Sequence, residues 1–303
     1  ELRPGAVHVF KPKGYGGLTG RLLAPTIPLI VDTDDWEGDG GWNQAGNYSF
    51  LQRRLFAWQE RDLLRRADAV TAASLLLAKR ASLLRSQCPD HVTWIPNGLD
   101  AAWAQQLAAP RASDARTNAD PNESVIVLYS RFAEFSADWL ARYLHALSSR
   151  LPPGHRARLM IVGDPPDPGA GFPNLELRQM GYVALDRIPL LLSRAQIALF
   201  PYVDSLISRS KNSVKLLELM ASGCAIVASN VGDVPAVVGD AAVLVNHDSP
   251  GAFADATLEL ARNPERVRRL SASAQRRATT NFSLHAIAGR LAGAYQAAGV
   301  IRQ

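Results

Sequence analysis

The sequence has few cysteines and no long apolar run, and both absences exclude whole classes of protein. Only two of the 303 residues are cysteines, Cys88 and Cys224, and they are far apart without the spacing of metal ligands. A disulfide framework is therefore not indicated, and we predict reduced thiols in a cytoplasmic protein. No apolar run reaches the roughly 18 residues that cross a bilayer. The first residues, ELRPGAVHVF, do not resemble a secretory signal.

Nucleic-acid binding is not indicated either, because zinc-finger patterns, RNA-recognition signatures and interleaved basic and aromatic residues are all missing. The net charge of +5 is nevertheless concentrated in two regions. From Arg262 to Gln303 there are eight arginines and one acid, Glu265. A second basic cluster contains Arg53, Arg54, Arg61, Arg65 and Arg66. Such clusters predict an anionic ligand or peripheral contact with an anionic membrane, with a solvated helix face as the alternative.

Short apolar runs alternate with segments of helical period along most of the chain. Runs such as 28–33 (PLIVDT) and 124–130 (SVIVLYS) are typical of buried parallel strands. The segment 49–67 has apolar residues at helical spacing, with arginine and glutamate between them. This alternation predicts parallel sheets covered by helices on both faces, with ligands beyond the carboxyl ends of the strands.

A chain of 303 residues is too long for one ordinary core, so we expect two domains. Residues 104–123 are small and polar without an apolar period, which predicts a linker or surface loop. We predict a first domain at 1–103, the linker at 104–123, a second domain at 124–282 and a returning helix within 283–303. A strand begins almost at the first residue, so we expect a first domain that is cut short.

The segment 208–235 is the most informative for chemistry (SRSKNSVKLLELMASGCAIVASNVGDVP). A polar loop with Lys211 precedes a helix, and the first N–H groups of that helix would bind an anion together with Lys211 and Lys215. Glu218 lies one turn into the helix, on the same face as Lys215 or close to it. A carboxylate in this position can accept hydrogen bonds from both hydroxyls of a ribose. On physical grounds alone, an ordinary helix–strand unit with a surface glutamate explains the segment equally well.

The run LLELMASGCAIVASNVGDVP resembles the signature of glycosyltransferase family 4, in which a helix with a ribose-binding glutamate precedes a glycine turn and a valine-rich strand. The segments VTWIPNGLD, VIVLYSRF, LMIVGD, MGYV and ALFPY follow in the family's order. The resemblance covers about the last 210 residues well and the first 90 more loosely. It implies an α/β protein of the GT-B fold, with two doubly wound Rossmann-like domains facing a cleft and the N-terminal one incomplete.

The resemblance also implies functional residues. Arg131, Lys215 and Glu218 would be catalytic, with Arg131 on the donor diphosphate and Glu218 on the ribose. The donor-binding set is Arg131, Gly163, Tyr182, Val183, Pro201, Ser210, Lys211, Asn212, Ser213, Val214, Lys215 and Glu218. Four positions depart from the family pattern. Ser210 replaces the first of two glutamates, Ser136 replaces a frequent lysine, Ser213 replaces a glycine, and Ala236 replaces a frequent acid.

The function implied by the resemblance is that of a retaining glycosyltransferase, which moves a sugar from a nucleoside diphosphate sugar to a glycan, lipid-linked or small-molecule acceptor. It implies no cofactor and no metal. Asp32, Asp34, Asp35, Glu37 and Asp39 form an acidic segment that could chelate a metal, but its resemblance to the family's acidic segment after a strand favours a role near the acceptor or the cleft. Two alternatives stay open, namely a non-catalytic nucleotide-sugar-binding relative and a sugar-nucleotide epimerase. A shortened first domain would also allow donor binding without turnover.

Overall fold

A computed structural model describes residues 4–23, 26–85, 89–109, 122–132, 134–165, 167, 169, 171–247 and 249–301. The chain divides into two compact units. The first comprises Glu1–Asn97, Ser205–Asn212 and Leu284–Gln303, and the second comprises Gly98–Asp204 and Ser213–Ser283. Among the described helices, none combines the length and apolar character needed to cross a membrane.

The first unit contains a four-stranded parallel sheet in the order β1-β2-β3-β4. Its strands are Val7–Phe10 (β1), Leu29–Thr33 (β2), Ala69–Ala72 (β3) and Val92–Trp94 (β4). Its helices, numbered in chain order, are Gly14–Leu23 (α1), Trp42–Ala45 (α2), Phe50–Arg66 (α3), Leu75–Leu84 (α4), Leu206–Ser210 (α8) and Leu284–Ala297 (α13). The predicted alternation of buried strands and helices is confirmed here.

Both faces of this first sheet are covered, which explains why most residues of its central strands are apolar. On one face Val31 and Val70 pack with Leu63 of α3. On the other face Ile30 and Ala69 pack with residues at the end of α13. Burying each of the larger aliphatic side chains stabilises the fold by about 1.5–3 kcal/mol.

The second unit contains a six-stranded parallel sheet in the order β10-β9-β8-β5-β6-β7. Its strands are Glu123–Tyr129 (β5), Arg156–Val162 (β6), Leu175–Gly181 (β7), Ile197–Phe200 (β8), Ala225–Ser229 (β9) and Ala242–Val245 (β10). Its helices are Ala101–Ala108 (α5), Ala137–Arg150 (α6), Ile188–Leu192 (α7), Val214–Ala221 (α9), Val234–Val238 (α10), Pro250–Ala261 (α11) and Pro264–Asn281 (α12).

The order of strands in the second sheet reverses between β5 and β8. From β5 the chain continues outward to β6 and β7, and from β8 it continues in the other direction to β9 and β10. Ligands of doubly wound sheets bind beyond the carboxyl ends of the strands at such a switch point. The residues that follow Tyr129 and Phe200 are therefore the first place to look for a site.

The predicted linker at 104–123 is partly wrong, because its first residues belong to α5. Asp100 accepts a hydrogen bond from the Trp103 amide at 3.0 Å and so caps the helix. Leu107 is buried, and α5 packs on α7 and α9 of the second unit. Tertiary packing thus made helical a segment that has too few apolar residues to show a period. Residues 110–121 of the predicted linker, like Cys88, lie outside the described residues.

Candidate functional site

The turn that follows β5 presents Arg131 at the carboxyl edge of the second sheet. The Ser130 hydroxyl organises this turn, because it accepts from the Phe132 amide at 3.0 Å and donates to Glu134 Oε2 at 3.1 Å. Phe132 has φ of +59°, a left-handed conformation that is unfavourable for a bulky side chain. Strain of this kind persists where the surrounding structure imposes it, often at functional sites.

Gly163, at the end of β6, allows this turn to form. Its φ is +119°, and a Cβ atom there would overlap the Ser130 carbonyl oxygen. Its amide donates to the Gly181 carbonyl at 2.8 Å, which joins the ends of β6 and β7. The predicted donor-site residue Gly163 is thus required by the close approach of three strand ends.

Helix α9 begins beside the ends of β5 and β8. Ser213 is its N-cap residue with an extended backbone, but the Ser213 side chain makes no capping hydrogen bond. It hydrogen-bonds with the phenol of Tyr202, which follows β8. The first amides of α9, those of Val214 and Lys215, are therefore not occupied by the cap side chain, and they carry the positive end of the helix dipole.

Glu218 lies one turn into α9 and is only 5% exposed. Its Oε1 accepts a hydrogen bond from Trp103 Nε1 at 3.0 Å, and the Tyr129 hydroxyl donates to the same carboxylate. Burial raises the pKa of Glu218, whereas the two hydrogen bonds and the nearby Lys215 lower it. The carboxylate is held in one orientation by two donors and keeps acceptor capacity for a ligand hydroxyl.

Lys215 supplies a second cation close to Arg131. Its Nζ lies 4.2 Å from the ring centroid of Tyr129, within cation–π range. Burial lowers the pKa of Lys215 and the charge of Arg131 lowers it further, while Glu134 and Glu218 raise it. Burial and Glu218 together raise the pKa of Tyr129 to about 12, so its hydroxyl stays protonated and a donor. Two cations, a helix N-terminus and an oriented carboxylate therefore share one strand edge.

The other donor-site residues predicted in the second unit differ in accessibility. Tyr182 is 87% exposed just beyond β7, Val183 is half-buried, and Pro201 is buried directly after β8. All three follow strand ends on the edge that holds Arg131. Their predicted roles in donor binding stay predictions.

Ser210, Lys211 and Asn212 belong instead to the first unit. The fully buried Ser210 donates its hydroxyl to the Ile207 carbonyl at 2.9 Å. Lys211 Nζ lies 5.4 Å from the ring centroid of Trp42. Asn212 Oδ1 accepts from the Asn97 amide at 3.0 Å. The polar loop that precedes α9 is thus divided between the two units, because Asn212 belongs to the first and Ser213 begins a segment of the second. The sequence pattern did not predict this division.

Sequence reasoning missed four residues of the site. Tyr129 and Tyr202 were detectable, since each stands at the carboxyl end of a central strand. Trp103 is 115 residues away from Glu218 and gave no local signal. Glu134 is a buried carboxylate within a short loop. Ser136, where the family often has a lysine, caps α6 by accepting from the Trp139 amide at 3.1 Å.

The acidic segment begins at Asp32, near the end of β2, and continues beyond that strand in the first unit, where neighbouring cations contact it. Lys11 Nζ lies 2.8 Å from Asp35 Oδ2, and Lys13 Nζ lies 2.5 Å from Glu37 Oε2. Burial raises the pKa of Asp32 to about 6, against a hydrogen bond from Thr71. Among the described residues, no three His, Cys, Asp or Glu side chains are placed to hold a metal ion. The absence of a metal requirement stays a prediction.

Comparisons with known proteins agree with this architecture. A family model described as glycosyl transferases group 1 matches residues 123–263, and one described as a glycosyl transferase 4-like domain matches residues 1–98. Alpha-maltose-1-phosphate synthase of Mycolicibacterium smegmatis is 26% identical over 299 residues, covering 89% of this chain and 73% of that protein.

Two solved structures illustrate the likeness of the fold. Sucrose-phosphate synthase from Thermosynechococcus elongatus superposes with a TM-score of 0.67 at 18% identity, over 96% of this chain and 73% of the other. HepE from Anabaena, solved in complex with UDP, gives 0.64 at 16% identity, over 95% and 78%.

Proposed function

The chain belongs to the group 1 glycosyl transferases of family 4 and has their GT-B fold, and we propose that it transfers a sugar from a nucleoside diphosphate sugar to an acceptor hydroxyl. The observation that carries the proposal is the cationic edge of the second unit. Arg131, Lys215 and the start of α9 suit a diphosphate. Glu218, held by Trp103 and Tyr129, suits the ribose hydroxyls.

The chemistry follows from where charge develops. As the bond from the sugar to the diphosphate breaks, negative charge grows on the leaving phosphate oxygen, and Arg131, Lys215 and the amides of α9 would stabilise it. The acceptor hydroxyl attacks from the same side of the sugar and passes its proton to that phosphate oxygen. The configuration of the sugar is then retained. This scheme requires neither a protein base nor a metal ion.

The acceptor would contact the first unit. Its acidic segment combines carboxylates with the indoles of Trp36 and Trp42, and Trp42 Nε1 donates to Asp35 Oδ1 at 3.0 Å. Carboxylates that accept from sugar hydroxyls, next to flat apolar rings, are suited to a hydroxyl-rich acceptor. A glycan, a lipid-linked sugar or a small sugar meets this description. A lipid-linked acceptor would bring the enzyme to a membrane surface.

Calorimetric titration with UDP, GDP, ADP and dTDP tests the donor site. Because HepE is described with UDP, UDP is the first nucleotide to try. We expect one nucleotide to bind and Arg131→Ala to raise its Kd about tenfold or more, since a charge-assisted hydrogen bond contributes about 1.5–3 kcal/mol. Glu218→Ala should also weaken binding.

Arg142→Ala is the matched control, because Arg142 is an exposed arginine on α6 that pairs with Asp138. Binding of no nucleotide, or equal losses in Arg131→Ala and Arg142→Ala, would contradict the donor site. Product analysis with the matching sugar nucleotide then separates three outcomes. Transfer needs an acceptor, an epimerase changes the sugar without one, and a binding protein does neither.

A further inference from the structure

The outer surfaces of α1 and α3 expose an unusual number of large apolar side chains. On α1 these are Tyr15, Leu18 and Leu22, with exposures of 91%, 52% and 70%. On α3 they are Phe50, Leu51, Leu55 and Trp58, with exposures of 69%, 77%, 46% and 41%. The two helices pack against each other within the first unit, so their exposed residues form one surface, named here the α1/α3 face. Apolar surface of this extent marks an interaction site.

The packing of α1 keeps this face turned outward. Gly17 and Gly20 lie on the opposite side of the helix from Tyr15, Leu18 and Leu22, by helical spacing. A Cβ on Gly17 would come within 2.7 Å of the Gln59 side chain, and one on Gly20 within 3.0 Å of Val9. The two glycines therefore bring α1 into close contact with α3 and the sheet, and the apolar residues cannot turn inward.

Arginines are interleaved with the apolar residues of α3. Arg54, Arg61 and Arg65 are exposed and follow the same helical stripe as Leu51, Leu55 and Trp58, at spacings of three and four residues. Asp62, a half-buried carboxylate on the same helix, forms ion pairs with Arg21 and Arg66. The Arg21 guanidinium also stacks 4.5 Å from the Trp58 ring centroid. The face is therefore both apolar and strongly cationic.

We propose that the α1/α3 face docks on an anionic lipid bilayer. A bilayer surface complements both the apolar and the cationic residues of this face. Trp58 and the leucines can enter the boundary between headgroups and acyl chains, while the arginines contact lipid phosphates. Tryptophan and arginine are favoured at that depth. A second copy of the same face would instead set arginine against arginine, so charge complementarity favours the membrane.

Sedimentation with vesicles of equal parts phosphatidylglycerol and phosphatidylcholine tests the proposal. The whole chain should bind at low salt and bind less at high salt, where screening shortens the range of charge attraction. Arg54→Gln with Arg61→Gln and Arg65→Gln should weaken binding about a hundredfold, at roughly fivefold per arginine. The control removes the same charge from α12, through Arg268→Gln, Arg269→Gln and Arg276→Gln, and should bind nearly as well as the unaltered chain.

The apolar component has a separate readout. Brominated lipid should quench tryptophan fluorescence in the bound protein, and Trp58→Phe should remove most of that quenching. Leu51→Ser with Leu55→Ser should weaken binding at all salt concentrations. Circular dichroism confirms that each variant is folded.

Any of three results would overturn the proposal. The first is that the unaltered chain does not sediment with vesicles, and the second is that the triple substitutions on α3 and α12 weaken binding equally. The third is a dimer that forms without lipid and that Leu51→Ser with Leu55→Ser dissociates. The last outcome would assign the face to a second copy. Nucleotide titrations are independent of all three, because the residues of the α1/α3 face are not those of the donor site.

Discussion

The carboxyl edges of the two sheets carry charge in opposite ways. At the edge of the first sheet, acids and bases are matched, with Lys11 on Asp35 and Lys13 on Glu37. At the edge of the second sheet, Arg131 and Lys215 lie close enough for Arg131 to lower the pKa of Lys215. Parallel α/β topology places ligands at both edges, so the difference lies in the side chains that follow each strand.

This difference predicts different effects of substitutions at the two edges. At the first edge, matched charges hold loops in place, and removing one partner leaves a buried charge unpaired, so the free energy of unfolding should fall. At the second edge, Arg131 and Lys215 lie close together although Glu134 and Glu218 are near Lys215. Two neighbouring cations are costly for the protein alone but favourable for an anionic ligand, so substitutions there should weaken binding. Substitutions at the first edge should therefore change unfolding, and substitutions at the second edge should change donor affinity.

The largest effect is expected at the Glu60–Arg80 pair of the first unit. Glu60 is fully buried, and the Arg80 guanidinium reaches both of its oxygens at 2.6 and 2.8 Å while stacking on Trp36. Arg80→Leu should lower the free energy of unfolding by about 3–5 kcal/mol, because it leaves a buried carboxylate unpaired. Urea unfolding measures the loss.

The double variant Glu60→Gln with Arg80→Leu is the control, since it removes the stranded charge and should recover part of the loss. A loss below about 1 kcal/mol in Arg80→Leu, a value typical of surface pairs, would refute the description of this edge as structural.

The next effect concerns the pH dependence of stability at Asp32. Its pKa in the folded chain is about 6, chiefly through burial, against an ordinary value of 3.8. The folded state therefore prefers the protonated form. This contribution to stability is fully present below about pH 4 and is lost as the pH rises through about 6.

Asp32→Asn removes the titration while keeping an oxygen that can accept from Thr71 Oγ1, which lies 2.5 Å from Asp32 Oδ1. At neutral pH the variant should be more stable than the unaltered chain by about 3 kcal/mol, and at acidic pH the two should be nearly equal. Urea unfolding at both pH values measures the difference. The same gain at both pH values would mean that ionisation of Asp32 is not the cause.

At the second edge, Lys215→Met sharpens the comparison, because its effect should fall on binding. Lys215 is buried enough for its pKa to be lowered, so a neutral side chain of similar length should leave the stability of the free chain unchanged or higher. The Kd for the nucleoside diphosphate should rise about tenfold with the loss of one charge-assisted contact. Calorimetry measures the affinity of this variant, and urea unfolding measures its stability. A destabilised variant with normal affinity would mean that Lys215 has a structural role and no role in donor binding.

Much of the architecture was predictable from the sequence because parallel strands buried on both faces are apolar throughout and helices alternate with them. The run at 225–229 and the helix before it, with Glu218, are examples. Pairings between distant residues were not predictable, because neither period nor composition reports a contact such as Trp103 with Glu218. Helix α5 was mistaken for a linker since only Ala104 and Leu107 of its residues are buried. The grouping of α8 with the first unit is a tertiary effect of the same kind.

The smallest effect is expected from Trp103→Phe. This variant tests whether the buried carboxylate of Glu218 at the second edge binds the nucleotide. The change removes the indole N–H that donates to Glu218 at 3.0 Å but keeps a ring that packs on α9. Because this hydrogen bond lowers the pKa of Glu218 and burial already raises it, the variant's pKa should rise further. If the ionised carboxylate binds the nucleotide as proposed, affinity should fall as the pH drops through that pKa, and Trp103→Phe should move the fall to higher pH. Affinity at alkaline pH should be nearly unchanged.

Nucleotide titrations across the acidic range measure the shift. Glu218→Gln, which cannot titrate, should make the affinity independent of pH in this range, both with Trp103 and with Trp103→Phe. A profile that Trp103→Phe leaves in place would show that Glu218 does not contact the ligand as a carboxylate.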